Sequence, residues 1–451
     1  MIRRFALAAL VLTACTSEKR NESIEGRWRG NAVAFGDSSP LTVDFRTDSD
    51  SLRAFVSMTS EAMLLEKPLR NVSLRGDSLH MELANNRGEA ALFDGYVMGD
   101  TISGAFRKNA NEVYVRLVRI ANAVPARPYK QDTVRFTSKD GTALEGTIYL
   151  PDAKGVHPAV VFIHGSGPSD RTDFNHLADV FARRGIAALA YDKRGAGRSG
   201  GDPNHSSIGK LAEDVSAAVA ALTQRDDIDP LRIGICGVSE GGWVAPIVAS
   251  GDSTVSFVVA VVAPGSSYES NAIYQNSARL RSAHASQKQI DAYVRLTTEI
   301  DSIVRLRLKT PNDSAIDGRV RAAESKLATL RHDPIYRVAD LPRSVPDGEQ
   351  LVRWRWQTMD FDPYVYWTRV TVPTLVILGA SDRNVDSGAS LKRIGKALRA
   401  AGNNDVTFVV FENANHDLMV PGPGKGFRFP VPAPGYPDTL ASWTLTKVAG
   451  R

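Results

Sequence analysis

Between residues 24 and 120 apolar and polar residues alternate in short runs, at 41–45, 69–74, 78–83, 101–106 and 113–118. A period of two places every second side chain on one face of a strand. Gly76-Asp77 and Gly99-Asp100 stand between such runs, where hairpin turns belong. About eight short strands in roughly 97 residues predict a small antiparallel barrel or sandwich. Trp28 is assigned to its core, and no catalytic constellation appears in this β-rich unit, 24–120.

A linker at 121–131 carries Pro125 and Pro128, and after it the period changes. Near-continuous apolar runs at 134–136, 147–150, 159–163, 187–190, 232–236 and 258–262 alternate with helical segments at 174–184, 208–223 and 241–250. Such interleaving predicts a mostly parallel sheet covered on both faces. From about 265 to 361 the strand pattern stops, and charged helical stretches at 282–308, 317–330 and 348–359 replace it. The α/β pattern resumes at 374–378, 390–401 and 407–411. The expectation is one α/β domain, 132–451, interrupted by a helical cap.

The 451 residues are 43% hydrophobic and 23% charged, which excludes collagen-like, disordered and disulfide-scaffold chains. Fifty-five basic and 50 acidic residues leave a net charge of +5, scattered along the chain, so no nucleic-acid footprint is present. Arg3 and Arg4 followed by an apolar run at 5–12 read as an export signal. Leu12-Thr13-Ala14-Cys15 resembles the lipobox of bacterial lipoproteins. That resemblance implies removal of residues 1–14, lipid attachment at Cys15 and a polar tether at 15–23. It also implies an exported protein anchored to the membrane of the cell envelope, on the periplasmic face in a two-membrane bacterium. Cys236 sits in an apolar run, so it is read as strand packing rather than half of a disulfide.

Gly237-Val238-Ser239-Glu240-Gly241 matches G-x-S-x-G between an apolar run and a helical segment. In a nucleophile elbow the serine stands on a strained strand-to-helix turn, and small residues two before and two after avoid clashes. A serine hydroxyl needs a base to take its proton and an acid to orient that base. Asp382 follows the apolar run 374–378, and His416 follows 407–411, so both fall on loops at one sheet edge. Asp386 and Asp417 are the rival acids. The oxyanion calls for backbone N–H donors. One is assigned to Glu240, and the other to Ser166 in His164-Gly165-Ser166-Gly167-Pro168, with Gly167 as the alternative. His164, which precedes the nucleophile, is read as a prop for that loop. Gly195-Ala196-Gly197-Arg198-Ser199-Gly200 matches a dinucleotide fingerprint in letters alone, because Asp192-Lys193-Arg194 separate it from the preceding strand. The eight histidines show no paired metal-ligand spacing, so neither cofactor nor metal is expected.

Together these segments resemble the α/β-hydrolase superfamily. The loops around Ser166, 191–199 and Ser239 are similar to bacterial serine hydrolases of the EstD-type esterase group, relatives of serine aminopeptidases and prolyl-oligopeptidase-like proteins. The resemblance implies an α/β-hydrolase fold, Ser239, Asp382 and His416 as a triad, and hydrolysis of a small-molecule carboxylic ester. Val238 stands where many relatives carry His. A small aminopeptidase or a thioesterase would use the same residues, and a lipid-anchored envelope-binding protein with a hydrolase scaffold is the alternative of a different class. Trp354, Trp356, Tyr364 and Trp367 near the cap's return either line the acyl or alcohol pocket or pack the cap on the core. No protein partner is identifiable.

Overall fold

The structure, a computed structural model, describes residues 23–49, 51–58, 63–84, 89–121, 126–203, 206–352 and 358–449. The signal and lipid-attachment readings, and Trp354 and Trp356, fall outside those residues.

Eight antiparallel strands come first: β1 (Gly26–Ala34), β2 (Asp37–Asp48), β3 (Ser51–Met58), β4 (Leu64–Arg75), β5 (Ser78–Ala84), β6 (Ala90–Met98), β7 (Thr101–Lys108) and β8 (Asn111–Ile120). β1 pairs with β2 on one side and with β8 on the other, from Arg27↔Ile120 to Val33↔Tyr114, so the sheet closes into a barrel without free edges. Its interior is filled by fully buried Trp28, Phe45, Met81, Phe93, Ile102 and Leu117. The Trp28 indole N–H is satisfied by the Ile24 carbonyl at 2.9 Å.

The next strand starts earlier than the expected linker end. β9 (Tyr129–Thr137) forms a hairpin with β10 (Ala143–Pro151). The Tyr129 hydroxyl donates to Asp179 at 2.6 Å, so packing rather than proline content decides where the connection ends.

β11 (His157–Ile163), β12 (Ala187–Tyr191), β13 (Ile228–Val238), β14 (Val255–Val261), β15 (Thr374–Gly379) and β16 (Val406–Phe411) complete an eight-stranded sheet in the order β16-β15-β14-β13-β11-β12-β10-β9. Pairs from β12 through β16 are parallel, whereas β10 runs antiparallel to both its neighbours. Side chains of β11 alternate between two apolar layers: Ala159, Val161 and Ile163 on one face, Val160 and Phe162 on the other. The first layer is covered by α2 (Ile208–Thr223), α3 (Gly241–Gly251) and the helix Ser387–Ala400. α1 (Asn175–Ala182) and the helix Tyr436–Val448 cover the second. Cys236 lies fully buried in that second layer, and burial alone pushes its thiol up to about 12.

Between β14 and β15 the chain leaves the sheet for a helical layer: α4 (Tyr268–Ser282), α5 (Gln287–Lys309) and α6 (Ala315–His332). It has apolar clusters of its own, centred on Leu296, Ile300 and Leu327 and on Leu280 and Tyr293. Two helical expectations change here. α4 was not anticipated, and the stretch expected at 348–359 begins as a single 3-10 turn, Gly348–Val352. Gly348, left-handed at φ +52°, opens that turn two residues after Pro346, a start unlike that of a regular α-helix. Among the described residues no helix is long and apolar enough to cross a membrane.

Candidate active site

β13 runs through the middle of the sheet and turns directly into α3, and Ser239 occupies the turn with φ +55°. That left-handed conformation is costly for a residue with a side chain, so the neighbours must over-determine it. They do. The Ser239 amide donates to Val261 O at 2.9 Å and its carbonyl accepts from Gly242 at 2.8 Å. A Cβ at Gly237 would meet Gly241 O at 2.2 Å, one at Gly241 would meet Ile163 O at 2.4 Å, and one at Gly242 would meet the Ala263 methyl at 2.2 Å. The three glycines let helix, strand and the loop after β11 approach closely enough to force the turn.

The Ser239 hydroxyl lies 2.9 Å from His416 Nε2, and His416 Nδ1 lies 2.7 Å from Asp382 Oδ2. With Nδ1 donating to the carboxylate, Nε2 presents its lone pair to the serine hydroxyl. Asp382 is buried, and its other oxygen accepts from the amides of Asn384 (2.7 Å) and Val385 (2.9 Å). The Tyr274 hydroxyl on α4 donates to the Asp382 carbonyl at 2.9 Å. The rival acids have other places. Asp386 caps the helix Ser387–Ala400 by accepting from the Ala389 amide at 2.9 Å, and Asp417 is exposed.

Ser166 sits on the loop after β11, where Gly165 passes so close that a Cβ there would lie 3.3 Å from the Ser239 Cβ. Glu240 is buried, and its carboxylate accepts from the Ser166 hydroxyl (3.3 Å) and from the Lys193 ammonium (2.6 Å). Lys193 also donates to the Gly165 carbonyl at 2.8 Å. His164 is buried behind the loop, with Nε2 2.6 Å from the Tyr191 carbonyl. Burial holds its imidazole below the ordinary range, which keeps the ring neutral as a donor to that carbonyl.

The glycines at 195–200 fold around Asp192. A Cβ at Gly197 would lie 2.3 Å from its carboxylate, which accepts from the Arg198 amide at 2.8 Å and from the Arg171 guanidinium. Arg194, beside it, pairs with Asp214 and Asp140. Sequence reasoning noticed Asp192-Lys193-Arg194 as a spacer and missed what it does. Three consecutive charges directly after an apolar strand were the available signal, since all three are buried. Tyr274 left no signal. Trp367 is fully buried in the main core, where it packs, while Tyr364 is half-buried against the same core. An open cavity of about 1050 Å³ borders His416 and is walled by Arg383, Asn384, Met419 and Arg428, but Ser239 is not among its walls.

A serine on a strand-to-helix elbow, a buried aspartate and a histidine from the ends of β15 and β16, and this strand order define an α/β-hydrolase enzyme. The chain belongs to the family described as Serine aminopeptidase, S33, whose model matches residues 154–420. It is similar to Esterase EstD of Thermotoga maritima, 24% identical over 382 residues, which are 80% of this chain and 77% of that protein. It is also similar to Thiohydrolase aneE of Aspergillus aculeatus, 37% identical over 129 residues, 28% of this chain. The chain spans only 40% of aneE's length. Among solved structures, the esterase Pf2001 of Pyrococcus furiosus aligns with a TM-score of 0.44 at 16% identity, over 73% of this chain and 95% of that one.

Proposed function

We propose that the protein hydrolyses carboxylic esters through an acyl-enzyme on Ser239. The observation that carries this reading is the unbroken hydrogen-bonded chain from Ser239 Oγ through His416 to Asp382. Ser239 attacks the ester carbonyl as His416 Nε2 takes its proton, and Asp382 holds the imidazole and offsets its charge. The Ser166 and Glu240 amides receive the oxyanion. On collapse His416 returns the proton to the leaving alcohol, and a water then repeats the sequence to release the acid. Similarity to EstD over most of both chains supports an ester as substrate. Similarity to aneE favours thioester cleavage as a second reading of the same residues. The family description makes aminoacyl amides the third substrate to test.

The N-terminus belongs to the same proposal: export, lipid attachment at Cys15 and a short tether to the barrel at the envelope membrane. Arg3, Arg4, the apolar run at 5–12 and Leu12-Thr13-Ala14-Cys15 support it. Labelling with a fatty-acid probe that persists in Cys15→Ser would refute it.

The activity test uses the chain from Thr16 onward, which keeps every described residue. Turnover of nitrophenyl esters, the matching thioesters and aminoacyl-anilides is compared in wild type and Ser239→Ala. Ester turnover should fall at least ~10⁴-fold in the variant. Turnover that survives Ser239→Ala sinks the mechanism, and faster cleavage of anilides or thioesters than of esters sinks the substrate class.

A further inference from the structure

Three loops meet behind the nucleophile: 164–170 after β11, 192–200 after β12, and the elbow itself. One ion pair touches all three. The Lys193 ammonium lies 2.6 Å from Glu240 Oε1 and 2.8 Å from the Gly165 carbonyl, and the Lys193 amide donates to Ser169 O at 3.0 Å. The second Glu240 oxygen accepts from the Ser166 hydroxyl. The two side chains are only 9% and 3% exposed, so solvent does little of this work.

An ammonium has donors and no acceptor, and a carboxylate the reverse. The Glu240 carboxylate therefore holds the Ser166 hydroxyl on one oxygen and the Lys193 ammonium on the other, and Lys193 in turn holds the Gly165 carbonyl. The two residues whose amides are the proposed oxyanion donors are thus linked through one ion pair. Buried ion pairs contribute little net stability, because desolvation offsets attraction, so this pair's placement is its significant property. Oxyanion stabilisation depends on donors held in place before charge develops. A carboxylate beside those donors would oppose the developing negative charge unless a cation neutralised it.

We infer that the Lys193–Glu240 pair is the positioning device of the oxyanion site: it ties the two donor loops together and cancels the Glu240 charge beside them. Lys193 is thus a positioning residue, reaching the reaction only through Glu240 and Gly165. The inference rests on the Ser239 reading proposed above.

The test compares wild type, Lys193→Met, Glu240→Gln and the double variant, all in the chain from Thr16 onward. It measures kcat and KM on a nitrophenyl ester and the affinity for an alkyl boronic acid. The boronic acid adds the serine oxygen and becomes a tetrahedral anion, so its affinity reads the oxyanion site directly. Lys193→Met, which leaves a buried negative charge, should lower kcat by about 30- to 100-fold and weaken the boronate to match. KM should stay within about twofold, since ground-state binding is not involved. Glu240→Gln should be milder. The double variant, with no unpaired charge, should recover about tenfold over Lys193→Met, and it keeps the test alive if the single variant folds poorly. Wild-type kcat and boronate affinity in Lys193→Met, a loss confined to KM, or a double variant as poor as Lys193→Met each overturn the inference. The Ser239→Ala control separates the two levels. Turnover that survives it removes the nucleophile reading itself, whereas Ser239-dependent turnover indifferent to Lys193→Met removes only the clamp.

Discussion

At the scale of single residues, the site is built by what is missing from side chains. Gly242 meets the Ala263 methyl with no room for a Cβ, whereas Gly251, at the other end of the same helix, has open space around it. Alanine at 242 should therefore force α3 away from β14, cost about 1–3 kcal/mol and disturb the elbow. Alanine at 251, which ends the helix, should cost far less. Thermal unfolding of the two variants checks the contrast, and equal melting temperatures would refute the claim that close approach sets the turn. The G-x-S-x-G spacing made Gly237 and Gly241 readable in advance, because the clash they avoid is local. The need for Gly242 is a tertiary contact with a residue 21 positions on, which no local pattern encodes.

Elements decide which acid serves the histidine. Asp382 and Asp386 lie four residues apart on one loop, and the sequence offered both. The helix Ser387–Ala400 separates their roles by starting directly after Asp386: Asp386 satisfies its first turn, and Asp382 is left facing His416 with its second oxygen held by two amides. Asp386→Ala should cost about 1 kcal/mol of stability as a lost N-cap while kcat holds. Asp382→Asn should leave the fold intact and lower kcat by roughly 10³–10⁴-fold, because the imidazole loses its orienting acceptor. Reversed outcomes would exchange the two roles. The loop Tyr191–Ser199 carries the acid-sensitive element. Burial alone would raise the Asp192 carboxyl, but the Arg171 guanidinium and the amides of Arg171 and Arg198 outweigh it and hold it below the usual range. A depressed folded value means that stability is present above the unfolded carboxylate range and is lost as pH falls through the folded value. Unfolding followed from pH 5 downward should therefore be steeper in wild type than in Asp192→Asn, and identical slopes would refute this. Legibility at this scale was uneven. The strands of the sheet and α2, α3 and α5 showed their period because one face or both are apolar. α4 did not, since its apolar positions are few and its Tyr274 is directed at the Asp382 loop rather than a core of its own. Barrel and sandwich were equally compatible with alternation, as period two fixes which face is buried and leaves the β1–β8 closure open.

For the whole molecule, the barrel docks where the site's loops return. Lys67 on β4 donates to Asp173 at 2.6 Å and to Thr172 at 3.0 Å, just past the loop that carries Ser166, and the Asn175 side chain donates through Nδ2 to Leu65 O at 2.9 Å. At the other end Asp37 accepts from the Phe429 amide at 2.7 Å, and Phe35 lies against Phe427 with ring centroids 5.0 Å apart. Phe427 and Phe429 belong to the excursion that follows His416. The barrel thus touches two chain segments that leave the catalytic edge, although among the described residues none of the barrel's joins the Ser239–His416–Asp382 chain. A part-buried charged hydrogen bond of this kind is worth about 1.5–3 kcal/mol, so Lys67→Met should loosen the barrel's seat by that order. Calorimetry should then show the barrel and the α/β sheet unfolding in separate steps, or in steps further apart than in wild type, with the earlier one moving alone. The filled barrel core (Trp28, Phe45, Phe93) gives that unit its own cooperative transition to lose. A single transition, shifted no more than by a surface substitution, would mean that the Lys67 contacts do not fix the barrel to the sheet.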